Sequence, residues 1–185
     1  MLRMADDAQL VVGVAGRIGS GKSEAAQCLR DRFGFQYLRY SLVLAEWYHA
    51  DPAAKPQLQE LGWNVMSGDG QRELNRRLIA QIDPKRDCAV DGLRHPIDYE
   101  SLQNAFSSSF SLVYVDTPSE VRFERLRGRY ASHQDFVAAD SHPVESKIDM
   151  LIPLASAVLV GTLPTQQLAA EMERLVRQFR SGGKQ

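Results

Sequence analysis

Short apolar runs alternate with amphipathic stretches along most of this chain. Five runs are apolar enough for buried strands, and they cover residues 9–15, 35–38, 88–91, 110–116 and 154–160. Between them, apolar residues recur every three or four positions, which predicts helices at about residues 21–33, 41–49, 55–66, 70–82, 97–106, 166–179 and from 118 onward. Strands that alternate with helices are typical of a parallel sheet covered on both faces. The pattern therefore predicts an α/β protein, a three-layer α/β/α domain on a five-stranded parallel sheet.

The composition fits a single domain, at residues 9–180, and narrows the classes of partner. A chain of 185 residues with 44% hydrophobic content can fill one core, and no repeat or low-complexity linker divides it. The formal net charge of −1 argues against nucleic acid as the main partner. No apolar run approaches the roughly 20 residues of a membrane span, and residues 1–8 lack the apolar core of a signal peptide. Two cysteines without metal-ligand spacing suit a reducing compartment, so we expect a cytoplasmic protein with no membrane partner.

Residues 16–23 read GRIGSGKS and fill every fixed position of the phosphate-loop pattern G-x-x-x-x-G-K-[ST], also called Walker A. The pattern lies between a predicted strand and a predicted helix, which is the context that a P-loop NTPase fold requires. Glycines let the backbone N–H groups surround phosphate oxygens, Lys22 brings a positive charge to the β- and γ-phosphates, and Ser23 can ligate Mg²⁺. We therefore expect nucleotide triphosphate binding. The predicted nucleotide contacts are Gly16, Gly19, Ser20, Gly21, Lys22, Ser23 and Glu24.

Two further charged residues lie at or just after the end of the third predicted strand. Asp91 ends that strand, and Arg94 comes three residues later. The carboxyl edge of a parallel sheet is where ligands gather in open α/β folds. Asp91 could organise the Mg²⁺ hydration shell or the acceptor, and Arg94 could clamp an acceptor phosphate. The alternative is an aspartate that only ends a strand and an arginine that lies on the surface.

Four arginines lie within eight residues, at positions 122, 125, 127 and 129. Such a cluster repels itself unless anions lie between the guanidinium groups, and phosphate oxygens bind them with bidentate geometry. Arg122, Arg125 and Arg129 share one helix face if the helix continues through Gly128. A solvated basic face is the alternative. The polar stretch that follows suits a lid, which we place at about residues 127–143.

These motifs together resemble the nucleoside monophosphate kinase group of P-loop enzymes, especially its dephospho-coenzyme A kinase and deoxynucleoside monophosphate kinase branches. The likeness rests on residues 12–23, 58–62, 91–96 and 125–129. It implies ATP and Mg²⁺ as cofactors, a small-molecule phosphate acceptor, and an acceptor-binding helical insertion at about residues 41–82. It also implies that Arg125 stacks on adenine and that Arg129 reaches a phosphate. The predicted catalytic residues are Lys22, Asp91, Arg94, Arg125 and Arg129, and the predicted Mg²⁺ ligands are Ser23 and Asp91.

The chain departs from that pattern at the end of the second strand. Many relatives carry an aspartate there, whereas residues 38–41 read LRYS and contain no acid. The acceptor pocket is expected to include Tyr40 and, from the helices after it, Trp47, Tyr48, Trp63 and Asn64, although such aromatics are more often core. Three functions stay open: a nucleotide kinase, a dephospho-coenzyme A kinase, and a nucleotide-binding regulatory protein with weak turnover. A GTPase is disfavoured because the chain has no N-K-x-D motif.

Overall fold

The computed structural model describes residues 8–182, and its strands form a parallel sheet in the order β2-β3-β1-β4-β5. The strands are β1 (Val11–Ala15), β2 (Gln36–Arg39), β3 (Cys88–Leu93), β4 (Phe110–Asp116) and β5 (Ala157–Val160). The helices are α1 (Lys22–Phe33), α2 (Tyr40–Tyr48), α3 (Lys55–Ser67), α4 (Gly70–Ile79), α5 (Pro96–Phe106), α6 (Ser119–Arg125), α7 (His133–Asp140), α8 (Pro143–Ser146) and α9 (Thr165–Gly182). Short 3₁₀ helices lie at Ser107–Ser109 and Ile148–Leu154.

Helices cover both faces of the sheet, which is the predicted three-layer arrangement. Successive strand residues point to opposite faces, and β1 shows this directly. Val11 packs in a core shared with α2, α4 and α5, whereas Val12 packs in a second core shared with α1 and α9. Because both faces are buried, the central strands are continuous apolar runs rather than alternating ones.

The sheet topology brings the predicted site residues to one edge. The central strand β1 pairs in parallel with β3 on one side and with β4 on the other, so the carboxyl ends of all three strands lie together. The phosphate loop follows β1 at this edge, between Ala15 and the start of α1. In register with β3, the last residue of β2, Arg39, lies beside Asp91. The end of β2 therefore contributes to the same edge as the phosphate loop.

Several predicted elements differ from the structure, and three of the differences lie near the predicted site or lid. The fifth strand begins at Ala157 and not at residue 154, because Ile148–Leu154 form a 3₁₀ helix that contains Pro153. Helix α6 ends at Arg125, so it does not continue through Gly128. Residues 133–140, expected to be part of a mobile lid, form a helix whose first turn is capped by Ser132 and Asp135.

None of the helices in residues 8–182 is both long and apolar enough to cross a membrane. The amino-terminal segment on which the signal-peptide argument rests includes residues 1–7, which lie outside the described part of the chain.

Candidate active site

The phosphate loop is shaped by three glycines that no other residue could replace without strain. Gly16, Gly19 and Gly21 all have positive φ, at 151°, 77° and 94°. A Cβ on Gly16 would lie 2.6 Å from both the Ser20 hydroxyl and a backbone carbonyl of β4, and one on Gly19 would lie 2.8 Å from the Leu126 side chain. The loop therefore keeps the tight bend that points backbone N–H groups towards an anion at the start of α1.

Lys22 is the cation at the centre of the site, although it is only 8% exposed. Its ammonium donates to the Arg17 carbonyl oxygen at 3.3 Å. Burial lowers the pKa of Lys22 to about 8, and the neighbouring positive charge of Arg94 acts in the same direction, while Glu145 and Asp91 oppose it. The ammonium is thus held ready for an anion, with few protein partners of its own.

A cavity of about 320 Å³ opens from the phosphate loop towards α2, α3 and α4. Its lining brings together most of the predicted site residues, namely Gly19, Gly21, Lys22, Ser23, Glu24, Asp91, Arg94, Arg125 and Arg129. The other end is lined mainly by Arg39, Tyr40, Ser41, Leu44, Leu58, Met66, Gln71, Leu74, Asp98 and Glu145. One cavity therefore joins the predicted donor end to the helices at residues 41–82.

Asp91 is fully buried in β3, which continues to Leu93 and does not end at Asp91 as predicted, and one carboxylate oxygen of Asp91 is free. Its Oδ2 accepts a hydrogen bond from the Tyr37 hydroxyl at 2.7 Å and lies 3.5 Å from the Arg39 guanidinium. The burial of Tyr37 and the adjacent Asp91 charge raise the pKa of the tyrosine to about 12, so the hydroxyl remains a donor. The other carboxylate oxygen of Asp91, Oδ1, has no hydrogen-bond partner among the described residues. One oxygen is thereby fixed and the other is available for a ligand.

Arg94 has a carboxylate partner that the sequence reading did not include. Its guanidinium pairs with Glu145, a fully buried residue of α8. The backbone N–H groups of Arg94 and His95 both donate to Asp98 Oδ2, at 2.9 Å each, which fixes the turn between β3 and α5. Burial raises the pKa of the Asp98 carboxyl above its usual value. Arg94 therefore lines the cavity as half of an ion pair, not as an isolated cation.

The arginine cluster divides between structural and cavity positions. Arg122 is buried and makes a bidentate pair with Asp140, so this residue fastens α7 to α6 and is not free to bind phosphate. Arg127 pairs with a neighbouring glutamate on the surface. Arg125 donates to the Ser20 carbonyl and to a carbonyl of the loop after β5, and it lines the cavity together with Arg129.

The lid is connected to the phosphate loop itself. Arg17, inside the loop, donates to both carboxylate oxygens of Asp149 at 3.1 and 2.8 Å and lies 3.3 Å from a carboxylate oxygen of Asp140. Arg17 holds the pKa of Asp149 below the usual range, and Arg122, with a smaller contribution from Arg17, outweighs burial to lower the pKa of Asp140. The carboxyl end of α7 is therefore fastened to the phosphate loop.

The expected aromatic pocket is only partly present. Tyr40 lines the cavity, whereas Trp47, Tyr48, Trp63 and Asn64 do not. Trp47 packs against Tyr48 and under the Arg77 guanidinium, and Trp63 lies edge-on to His142. These rings belong to the packing around α2, α3 and α4.

The sequence analysis did not single out several cavity residues, among them Arg39, Gln71 and Glu145. Arg39 follows a strand at the carboxyl edge, the same signal that singled out Asp91, so it could have been found. Gln71 and Glu145 carry no such signal, because a single glutamine on a polar helix and a single glutamate on a four-residue helix resemble surface residues.

The residues present fit a polyphosphate with a divalent cation. The glycines allow a close-packed bend that a Cβ would disrupt, and Lys22 lies beside this bend in the cavity. Ser23 and the unpaired Oδ1 of Asp91 supply hydroxyl and carboxylate oxygens, which Mg²⁺ prefers. Glu24, at the rim, accepts from Thr165 at 3.4 Å and faces the outer side of the same opening.

Comparisons with known proteins agree with this geometry, although no protein-family model matches the chain. A UPF0200 protein of Sulfurisphaera tokodaii is 24% identical over 174 residues, which cover 91% of this chain and 97% of that protein. A dephospho-CoA kinase of Methylococcus capsulatus is 25% identical over 195 residues, covering 92% and 96%. The solved structure of a shikimate kinase from Acinetobacter baumannii with shikimate has a TM-score of 0.63 at 13% identity, covering 94% and 96%. The three-layer fold and the predicted resemblance to P-loop kinases are confirmed.

Proposed function

We propose that this protein is an ATP-dependent phosphotransferase that acts on a nucleotide or a nucleotide-like small molecule. The observation that carries the proposal is the single cavity with a phosphate loop at one end and a helix-lined chamber at the other. A hydrolase needs no second chamber, whereas a kinase must place a donor and an acceptor side by side. We treat α2, α3 and α4 as the acceptor region within one domain, and we keep the expected cytoplasmic location.

The chain's own residues account for most of what phosphoryl transfer requires, which is positioning and neutralisation of charge. With a pKa of about 8, Lys22 is mainly protonated at pH 7 and would stabilise charge on the β- and γ-phosphates. Ser23 and Asp91 would hold Mg²⁺, which supplies a bridging charge between the phosphates when bound. Arg125 and Arg129 lie at the mouth of the cavity, where they can close over the donor.

The acceptor decides whether a general base is needed. A phosphate monoester is already a nucleophile, so the absence of an acid at residues 38–41 does not prevent transfer to a nucleoside monophosphate. An acceptor hydroxyl must lose its proton, and the free Oδ1 of Asp91 could receive it. This oxygen, together with the likeness to a dephospho-CoA kinase, supports a second candidate in which dephospho-coenzyme A is the acceptor.

A panel assay tests the proposal. ADP release is measured with ATP, Mg²⁺ and each ribonucleoside and deoxynucleoside monophosphate, and with dephospho-coenzyme A. We expect at least one acceptor to give turnover that Lys22→Ala abolishes, because a buried cation at the phosphates cannot be replaced by solvent. Lys85→Ala, in the exposed turn before β3, is the matched control and should turn over like the wild type. Silence across the panel with intact ATP binding would contradict the proposal and favour a nucleotide-binding regulatory protein.

A further inference from the structure

The acceptor end of the cavity holds buried oxygens that have no partner. In residues 8–182, six buried side-chain polar atoms lack a hydrogen bond, and four of them belong to cavity residues: Ser41, Gln71, Asp91 and Glu145. Buried polar atoms are paired in most proteins, so such a concentration in one cavity points to a polar ligand. The proposed function already gives Asp91 Oδ1 a role, as a Mg²⁺ ligand or as a proton acceptor, which leaves the other three atoms for contacts with the acceptor.

Gln71 is held so that its carbonyl oxygen, and not its amide nitrogen, is the free atom. Its Nε2 donates to Asp98 Oδ1, which also accepts from Asn75 Nδ2 at 2.8 Å. Asn75 in turn donates to the Gln71 backbone carbonyl at 2.9 Å. The side chain is only 4% exposed, so this network fixes it. Gln71 Oε1 therefore offers a hydrogen-bond acceptor to the cavity and nothing else.

Glu145 offers a second such atom. Its Oε1 pairs with the Arg94 guanidinium, and its Oε2 is buried without a partner. The backbone N–H of Glu145 donates to the His142 carbonyl at 2.8 Å, which anchors α8 at the cavity. Glu145 Oε2 and Gln71 Oε1 belong to one hydrogen-bond network. The backbone N–H of Arg94, the partner of Glu145, donates to the same Asp98 carboxylate that holds Gln71. Both fixed atoms can only accept.

We propose that Glu145 Oε2 and Gln71 Oε1 receive hydroxyl or amino groups of the phosphate acceptor, and that these two residues set acceptor specificity. The inference rests on the proposed function, because it names the chemistry of that acceptor. A ligand with donor groups satisfies both oxygens, whereas an acceptor with an apolar body leaves them unpaired at a cost that discriminates strongly. Leu44, Leu58 and Leu74 on the same wall contact the apolar part of such a molecule. A sugar or nucleoside that carries a phosphate or a reactive hydroxyl has this combination.

Glu145→Gln tests the proposal by reversing one hydrogen bond. Arg94 has only N–H donors, so the carbonyl oxygen of the new amide stays on Arg94 and its NH₂ group takes the place of Oε2. Shape and the Arg94 contact are kept, while an acceptor atom becomes a donor. Calorimetric titrations use AMP, CMP, GMP, UMP and dephospho-coenzyme A. We expect the tightest of these probes to lose about tenfold or more in affinity, because a hydrogen bond to a charged group is lost.

Analogues without a donor locate the contact and need no variant. For the tightest probe, analogues that lack the sugar hydroxyls or the base amino group should bind the wild type about tenfold more weakly. One analogue will lack the group that contacts Glu145. That analogue should bind Glu145→Gln as tightly as it binds the wild type. Glu60→Gln is the matched control, since Glu60 is exposed on α3, pairs with His142 and does not line the cavity.

Unchanged affinity of Glu145→Gln for every probe would overturn the proposal, as would failure of all five probes to bind the wild type. Tighter binding of monophosphates by Glu145→Gln would also overturn it, because Glu145 would then compete with the acceptor phosphate for Arg94. These titrations do not depend on turnover. A protein that binds acceptors in the expected pattern yet releases no ADP would refute the proposed function and leave this inference in place.

Discussion

Replacing Lys22 with methionine should stabilise the protein without ligand while it abolishes phosphoryl transfer. Methionine has a similar length and no charge, so it fills the same buried space. The lysine must instead lose its hydration inside the protein, and burial accordingly lowers its pKa from 10.5 to about 8. The proposed polyphosphate site thus keeps a charge that costs folding free energy as long as no anion is bound.

The magnitude follows from the shift in pKa. A pKa that is lowered from 10.5 to about 8 means that the folded protein binds fewer protons than the unfolded chain between these values, so stability rises with pH there. Linkage gives a cost of about 3 kcal/mol at pH 7, about 2 at pH 9 and about 1 at pH 10. The hydrogen bond from Lys22 to the Arg17 carbonyl, at 3.3 Å, offsets about 1 kcal/mol of this. The net gain for Lys22→Met at pH 7 is then about 2 kcal/mol.

Urea unfolding of both proteins at pH 7, 9 and 10 measures this difference. We expect Lys22→Met to be more stable by about 2 kcal/mol at pH 7, with a melting temperature several degrees higher, and to lose the advantage by pH 10. Magnesium–ATP should raise the melting temperature of the wild type and leave that of the variant unchanged. Lys85→Met, in an exposed turn, should match the wild type at each pH. A variant that is less stable at pH 7, or a gain that does not shrink as the pH rises, would refute the reasoning.

Two predictions concern the framework around the cavity. Arg122→Met leaves Asp140 with only its Arg17 pair and removes the donor to two buried carbonyls, so it should cost about 3 kcal/mol in urea unfolding. Arg127→Met, which breaks an exposed pair, should cost less than about 1 kcal/mol. Equal losses in these two variants would contradict the structural role of Arg122. Gly161→Ala places a Cβ 1.9 Å from a threonine hydroxyl and 2.5 Å from a carbonyl of the phosphate loop, so it should cost about 1–3 kcal/mol and weaken ATP binding. Gly68→Ala is the control, since a Cβ at position 68 has no atom closer than 3.6 Å. If Gly161→Ala destabilises the protein no more than Gly68→Ala, the prediction is wrong and the phosphate loop can move to accommodate the Cβ.

The parts of the fold that could be predicted are those with local signals. The strand at residues 110–116 was predicted with its observed bounds because an apolar run of that length, flanked by serines and a proline, has few other structures available. The phosphate loop was equally legible, since the glycines, the lysine and the serine must be neighbours in sequence to surround one phosphate group. Asp91 could be placed at the sheet edge because parallel strands bring their carboxyl ends together.

The end of α6 shows where local reasoning failed. The spacing of Arg122, Arg125 and Arg129 suggested one helix face, but glycine in a helix costs about 1 kcal/mol and the helix stops at Arg125. Arg122 is then directed inwards to Asp140, eighteen positions later, and this pair could not be predicted from the cluster alone. The four arginines of the cluster therefore make different contacts, because the fold gives each one a different set of neighbours.

The acceptor end of the cavity was the least predictable part, because its charges come from distant elements. The second strand ends without an acid. Its last residue, Arg39, lies in register with Asp91 of β3 and forms an ion pair with it across the two strands. Arg94 obtains its carboxylate from Glu145, which is 51 positions away on a helix too short to have a periodic pattern. Arg94, which was predicted to clamp a phosphate, and Arg39, which was not predicted, thus each have an anion beside them. If the proposed function holds, recognition of the acceptor depends less on total charge than on which carboxylate oxygens remain free, and only the folded chain determines that.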